Sequence, residues 1–198
     1  MSVSAPEAVS QGDAAGVTIG SCRVEVTELA ALRGRAPALT ALAASHGVAL
    51  PPIGRAVASV EALVLGVRPD RWLLLTVPAA AGATAARWQA LCAGAAVAVD
   101  LSAGLAALLL TGPDVRDVLA RGCRLDLAAD SFPPRHAAAT AMAQVATTLV
   151  ALPAGMLILT PASTARHLRE WLLAIAQPFG LAQCTEVSVS TLFGHPDS

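Results

Sequence analysis

This sequence predicts an α+β fold made of two similar strand–helix–hairpin–helix halves, and three observations support that. Apolar runs of strand length flank tight turns at Arg68-Pro69-Asp70-Arg71 and Pro153-Ala154-Gly155, so each reads as a hairpin. Short segments with apolar residues at i, i+3 and i+4 lie between them and read as amphipathic helices. The third observation is a repeat. Leu73-Leu74-Leu75-Thr76 followed by Thr84-Ala85-Ala86-Arg87-Trp88 returns as Leu157-Ile158-Leu159-Thr160 followed by Thr164-Ala165-Arg166-His167-Leu168, offset by about 80 residues. That offset is too long for a solenoid and suits a duplicated half whose helices bury against a shared sheet system. The halves fall at about 21–98 and 99–182. A small-residue tail over 1–20 is expected to be disordered, and 183–198 to add a strand and fray.

Taken in order, Cys22, Val24 and Val26 alternate with Arg23, Glu25 and Thr27, the pattern of a half-buried strand. Pro37 to His46 predicts a helix with Leu39, Leu42, Ala43 and His46 on one face and Gly47 at its end. Leu50-Pro51-Pro52 is a rigid connector, and Ile53 to Val60 a further strand. Ala62 to Val67 and Trp72 to Val77 form the first hairpin, where Pro69 followed by Asp70 predicts a type I turn. Thr84 caps a helix whose face is Trp88, Leu91 and Cys92, and Gly94 stops it. Val97 to Leu101 is the next strand.

Leu105 to Leu110 is apolar throughout, long enough for a buried strand and too short for a helix. Pro113 and Asp114 open a helix with Val115, Val118 and Leu119 on one face. Gly122, in a left-handed conformation, is expected to close it. Phe132-Pro133-Pro134 cannot continue a helix. The alanines of 135–145 predict a helix. Thr147 to Leu152 and Met156 to Thr160 form the second hairpin. A last helix, capped by Ser163 or Thr164, buries Ala165, Leu168, Leu172 and Ile175 with Trp171 beside them, and Pro178 and Gly180 end it. Glu186 to Leu192 reads as a final strand.

Of the 198 residues, 55% are hydrophobic and 14% charged, a charge-poor balance for a lone domain. Partners covering some of the surface would account for it. A GC-rich genome would do so equally, and the absence of Lys, Tyr and Asn fits that. Net charge is −1, with no basic run and few aromatics, so nothing favours nucleic acid. Cys22, Cys92, Cys123 and Cys184 form no C-x-x-C pair, which fits a reduced, cytoplasmic setting. Residues 1–19 lack the basic start and apolar core of a signal peptide. Ala137 to Ala165 carries no charge, but Gln144 and the Pro153-Ala154-Gly155 turn break it, so a hairpin is expected rather than a membrane span.

A family resemblance rests on the central stretch. Val99-Asp100-Leu101-Ser102, then GLAALLLTGPDVRDVLARGCRLDL from Gly104 to Leu127, then Ser131-Phe132-Pro133-Pro134, resembles the gamma subunit of bacterial heterotetrameric sarcosine oxidase, whose pattern runs VD-S-GR, LSGP-AR-VLA-GCPLDL and FPPG. Arg68 to Leu74 is similar to that family's GPDEWLL, and Pro161 to Leu172 to its P-SFAR-LWEWL. The resemblance implies an aminomethyltransferase-like unit, similar to the folate-binding domain of the glycine-cleavage T-protein. It also implies membership of a complex that converts sarcosine to glycine, with formaldehyde and hydrogen peroxide or with methylene-tetrahydrofolate. Alpha, beta and delta subunits would be the partners, and FAD, FMN, NAD and tetrahydrofolate would sit in those other subunits. This chain's role would be structural. A subunit of a related N-methyl amino acid dehydrogenase and a stand-alone folate-binding one-carbon protein are the alternatives. Ala103 and Leu105 depart from the family, which tends to an acid and Arg there.

Most catalytic signatures are absent from the sequence. Without Lys there is no Walker or Schiff-base lysine, and without Tyr no phenolic acid. No G-x-G-x-x-G follows a strand, and there is no H-E-x-x-H, no clustered Cys/His set and no G-x-S-x-G. No catalytic residue and no metal site is therefore assigned. Asp100 is the one candidate for a polar ligand such as a pterin, against the plainer role of hydrogen-bonding the backbone beside Ser102. Gly122-Cys123 matches only the start of the T-protein's KGCYxGQE, so Cys123 is expected to be packing rather than a reactive thiol. His46, His136, His167 and His195 are far apart in sequence. Arg135, His167 and Trp171 are the interface candidates.

Overall fold

The computed structural model describes residues 15–59 and 61–187. The expected tail over 1–14, the end beyond Val187, and His195 lie outside the described residues. The chain runs β1 (Val17–Cys22), β2 (Glu25–Ala31), α1 (Ala36–Ser45), β3 (Ala56–Ala58), β4 (Ala62–Arg68), β5 (Arg71–Thr76), α2 (Ala83–Leu91), β6 (Ala96–Asp100), β7 (Leu105–Thr111), α3 (Val115–Ala120), β8 (Ala137–Met142), β9 (Val145–Leu152), β10 (Gly155–Pro161), α4 (Ala162–Ala176) and β11 (Leu181–Val187). The strands form two sheets, ordered β3-β4-β5-β2-β6 and β11-β1-β7-β10-β9-β8.

Three apolar cores stack these elements into a helix–sheet–sheet–helix sandwich. Leu39 and Ala43 of α1 and Trp88 of α2 pack on Leu29, Val64 and Leu74 of the smaller sheet. The opposite face of that sheet, with Val26, Leu63, Leu65 and Leu75, meets Leu109, Val150, Leu157 and Leu159 of the larger one. Val118 and Leu119 of α3, with Leu168 and Leu172 of α4, cover the far face at Ile19, Leu110 and Ile158. Both sheets are thus buried on two faces, which explains why their central strands read as unbroken apolar runs.

Several expectations change here. Residues 17–20 are strand, not tail, because β1 lies between β7 and β11 with Val17 and Ile19 fully buried. The alternating Cys22–Thr27 stretch is two strands of different sheets, broken at Arg23-Val24, and Glu25 to Leu29 are all buried. The 135–145 segment is not helical. Ala137 to Met142 pair with Val145 to Val150, and the positive φ of Ala143 (48°) and Gln144 (64°) makes the two-residue turn whose twist suits a hairpin. Sheet pairing overrides the helix preference of alanine.

Asp70 also has a positive φ (58°), the mark of a type II rather than a type I turn. Gly82, not Thr84, is the N-cap of α2, and Pro161, not Ser163 or Thr164, that of α4. In α4 the fully buried residues are Leu168, Leu172 and Ala176, while Ala165 and Ile175 are half-buried. Gly122 has no left-handed φ. It is small because the Trp171 ring occupies the space a Cβ would fill. The last strand begins at Leu181, earlier than expected. Among the described residues, no helix is long and apolar enough to cross a membrane.

Candidate functional site

Asp100 ends β6, where the strand turns toward β7. Its carboxylate accepts the Ser102 N–H at 2.9 Å and the Ser102 hydroxyl at 2.5 Å, and these bonds hold its pKa below the usual carboxylate range. Ser102 Oγ in turn accepts the Val26 N–H at 2.9 Å. Asp100 therefore fixes the loop that links the two sheets.

The other candidates are scattered. Arg135 has a positive φ (72°), donates its N–H to Ala151 O and accepts the Ala56 N–H, so its backbone joins the two sheets. One guanidinium nitrogen of Arg135 is buried without a hydrogen-bond partner. His167 is exposed on α4, and Trp171 is half-buried against Gly122. His136 sits beside Phe132, with Arg55 Nη1 at 2.9 Å from its Nδ1. His46 meets the Trp88 ring edge-on. Cys123 is buried against the Met142 backbone.

Two clefts border the seam between the sheets. The larger, about 470 Å³, is floored by Val24, Leu105, Ala106 and Leu108 and rimmed by Arg23, Arg166 and Arg169. Its one thiol, Cys22, is pushed up to about 11 by burial, with the Glu186 carboxylate adding to the shift, so it is a poor nucleophile. The second, about 360 Å³, opens between Val67, Leu73, Leu101 and Leu105 on one side and Thr140, Thr147 and Leu159 on the other. Glu28 lines it, ion-paired to Arg71 at 3.2 Å and Arg68 at 3.6 Å. Neither cleft is lined by a histidine. Among the described residues, no three His, Cys, Asp or Glu side chains are placed to hold a metal.

Sequence reasoning missed the Glu28–Arg68–Arg71 cluster. A buried acid in a strand of apolar neighbours was its signal, but the partners come from a hairpin some forty residues on. It also missed Glu25, whose carboxylate accepts the Thr84 N–H at 3.2 Å and the Thr84 hydroxyl at 2.9 Å, satisfying the start of α2.

The comparisons with known proteins agree with this architecture. The model of the "sarcosine oxidase, gamma subunit family" matches residues 33–173. A chain of the heterotetrameric sarcosine oxidase from Corynebacterium sp. U-96, solved in complex with pyrrole 2-carboxylate, is 27% identical. The match covers 85% of this chain and 88% of that one, at a TM-score of 0.74. The glycine cleavage system aminomethyltransferase T from Bartonella henselae shares the fold at 15% identity and a TM-score of 0.64. There the match covers 85% of this chain and 48% of the transferase. No curated protein matches the sequence significantly.

Proposed function

The chain belongs to the sarcosine oxidase gamma subunit family, and from that premise we propose that it serves its complex as an assembly subunit and performs no chemistry itself. It is a gamma subunit of a heterotetrameric sarcosine-oxidase-type complex, and the other subunits of that complex are its partners. The observation that carries the non-catalytic reading is the make-up of its two clefts. They are lined mainly by arginines, threonines and aliphatic side chains, with Ser21, Ser102 and Cys22 in the larger; Ser102 is engaged by Asp100 and Val26, and the one acid of the two linings, Glu28, is bound to two arginines. Arginine stays protonated and cannot relay a proton, and a thiol with a raised pKa does not attack.

On this reading, sarcosine is oxidised to glycine at sites in the other subunits, which hold FAD, FMN, NAD and tetrahydrofolate. The turn from β7 to α3 lacks the glycine-rich fingerprint that cradles a dinucleotide. It carries Pro113, which has no N–H, and Asp114, a negative charge where a pyrophosphate would need donors.

The reading is tested in the assembled complex. Cys22→Ser, Asp100→Asn and Cys123→Ser are each expected to leave kcat within about twofold of the parent, because none of these side chains would touch substrate. A loss of about a hundredfold in any of them, with the complex intact, would assign chemistry to this chain.

A further inference from the structure

The inner face of the smaller sheet extends beyond the larger sheet. In β2 and its continuation, Val26, Glu28, Ala30 and Leu32 alternate onto that face. The β2–β6 register sets Val99 opposite Glu28 and Val97 opposite Ala30. Val26 is covered by the larger sheet, but Leu32 is 43% exposed, Val97 43% and Val99 40%. The row Val97, Val99, Leu101 then runs from this open strip into the cleft at Glu28 and Leu73. The strip and the cleft make one continuous apolar surface, and such a surface left open to solvent marks an interaction site.

Its rim is basic. The Ala31 N–H donates to Asp70 O, so the β4–β5 turn lies beside the end of β2. Arg33 and Arg35 follow Leu32 at that same end, both exposed, and Arg68 and Arg71 flank the turn. Four arginines thus gather at this end of the sheet with Glu28 and Asp70 beside them, in a chain whose net charge is −1. Glu28 is buried and engages two of the four. The outer edge of β6 is partly closed, because Gln89 Oε1 accepts the Ala98 N–H at 2.9 Å. A partner is therefore admitted onto the face and not along the strand edge.

We propose that this strip and cleft are the docking surface for a larger subunit of the complex, which contributes an aliphatic segment flanked by carboxylates. The inference rests on the assembly role argued above and names the face that performs it. Charge selects the occupant. A second copy of this chain would bring the same arginines against themselves, whereas an acidic segment neutralises them. Apolar cores rimmed by arginine are the usual make-up of a specific interface.

The test co-expresses the full chain with the larger subunits and follows assembly by size exclusion and native mass spectrometry. Val97→Asp with Val99→Asp is expected to cut the recovered complex at least tenfold, and Leu32→Asp to weaken it. Ile53→Asp, at a more exposed apolar residue near the opposite edge of the sheet, is expected to leave assembly unchanged. Hydrogen exchange on the unaltered complex covers the case in which the double variant does not fold. Residues 32–35 and 96–101 are expected to exchange at least tenfold more slowly in the complex than in the free chain. Normal assembly of the folded double variant, or unchanged exchange in those segments, overturns the proposal while leaving the assembly role standing. A homodimer of the free chain that the double variant abolishes also overturns it, in favour of a second copy. Failure of the unaltered chain to retain any larger subunit defeats the assembly role itself.

Discussion

Glu25 caps a helix that begins far along the chain. Its carboxylate reaches the N–H and hydroxyl of Thr84, 59 residues on, and so satisfies donors that no residue of α2 satisfies. A charged acceptor at a helix N-terminus also meets the positive end of the dipole. Glu25→Ala is expected to destabilise the chain by about 0.5–2 kcal/mol, since it takes the capping acceptor from a half-buried N–H at the start of α2. Thr84→Ala should cost less, because it keeps its own N–H bond to Glu25. Urea unfolding of both single variants and the double variant should return a coupling energy of about 0.5–3 kcal/mol. Strictly additive costs would mean that the two side chains do not act together. Asp100 shows the same principle at short range. An Asp two residues before a Ser is a local pattern, so its bond to Ser102 was readable beforehand, whereas the long reach of Glu25 was not.

Among the elements, the β4–β5 and β9–β10 hairpins and the helices at α1, α2, α3 and α4 were legible because their signals are local. Turn residues, apolar spacing and run length all lie within one window. The 135–145 segment failed for a physical reason. Alanine favours a helix in isolation, but here each residue from Ala137 to Met142 lies opposite one of β9, and tertiary pairing decides. Gly122 was legible as a boundary and misleading as to cause. A glycine after a helix usually marks a left-handed cap, yet this one makes room for Trp171, which rises from α4. Gly122→Ala should therefore destabilise by about 1–3 kcal/mol through overpacking. Pairing it with Trp171→Leu should recover part of that loss, as thermal melts of the three variants would show. A purely conformational role for Gly122 would give no such rescue.

At the scale of the molecule, the two sheets interlock. β1 precedes the first sheet in sequence but lies in the second, between β7 and β11. No local pattern announces such a crossing, because its cause is burial of Val17 and Ile19 under α3 and α4, elements that come far later in the chain. The seam between the sheets is equally non-local, and both candidate clefts border it. Two consequences follow for unfolding. The sheets share one apolar seam and one exchanged strand, so they are expected to open together. Trp72 and Trp88 report on the helix layer of the smaller sheet, and Trp171 on that of the larger. In Trp171→Phe, and separately in Trp72→Phe with Trp88→Phe, the remaining indole fluorescence is expected to change at the same urea concentration as far-UV circular dichroism. Leu157→Ala, in the middle of the seam, should cost about 2–5 kcal/mol and move every one of these transitions together. A Trp171 transition that ran ahead of the circular dichroism would show the larger sheet's helix layer opening alone, and the interlock would then be a matter of topology without energetic coupling.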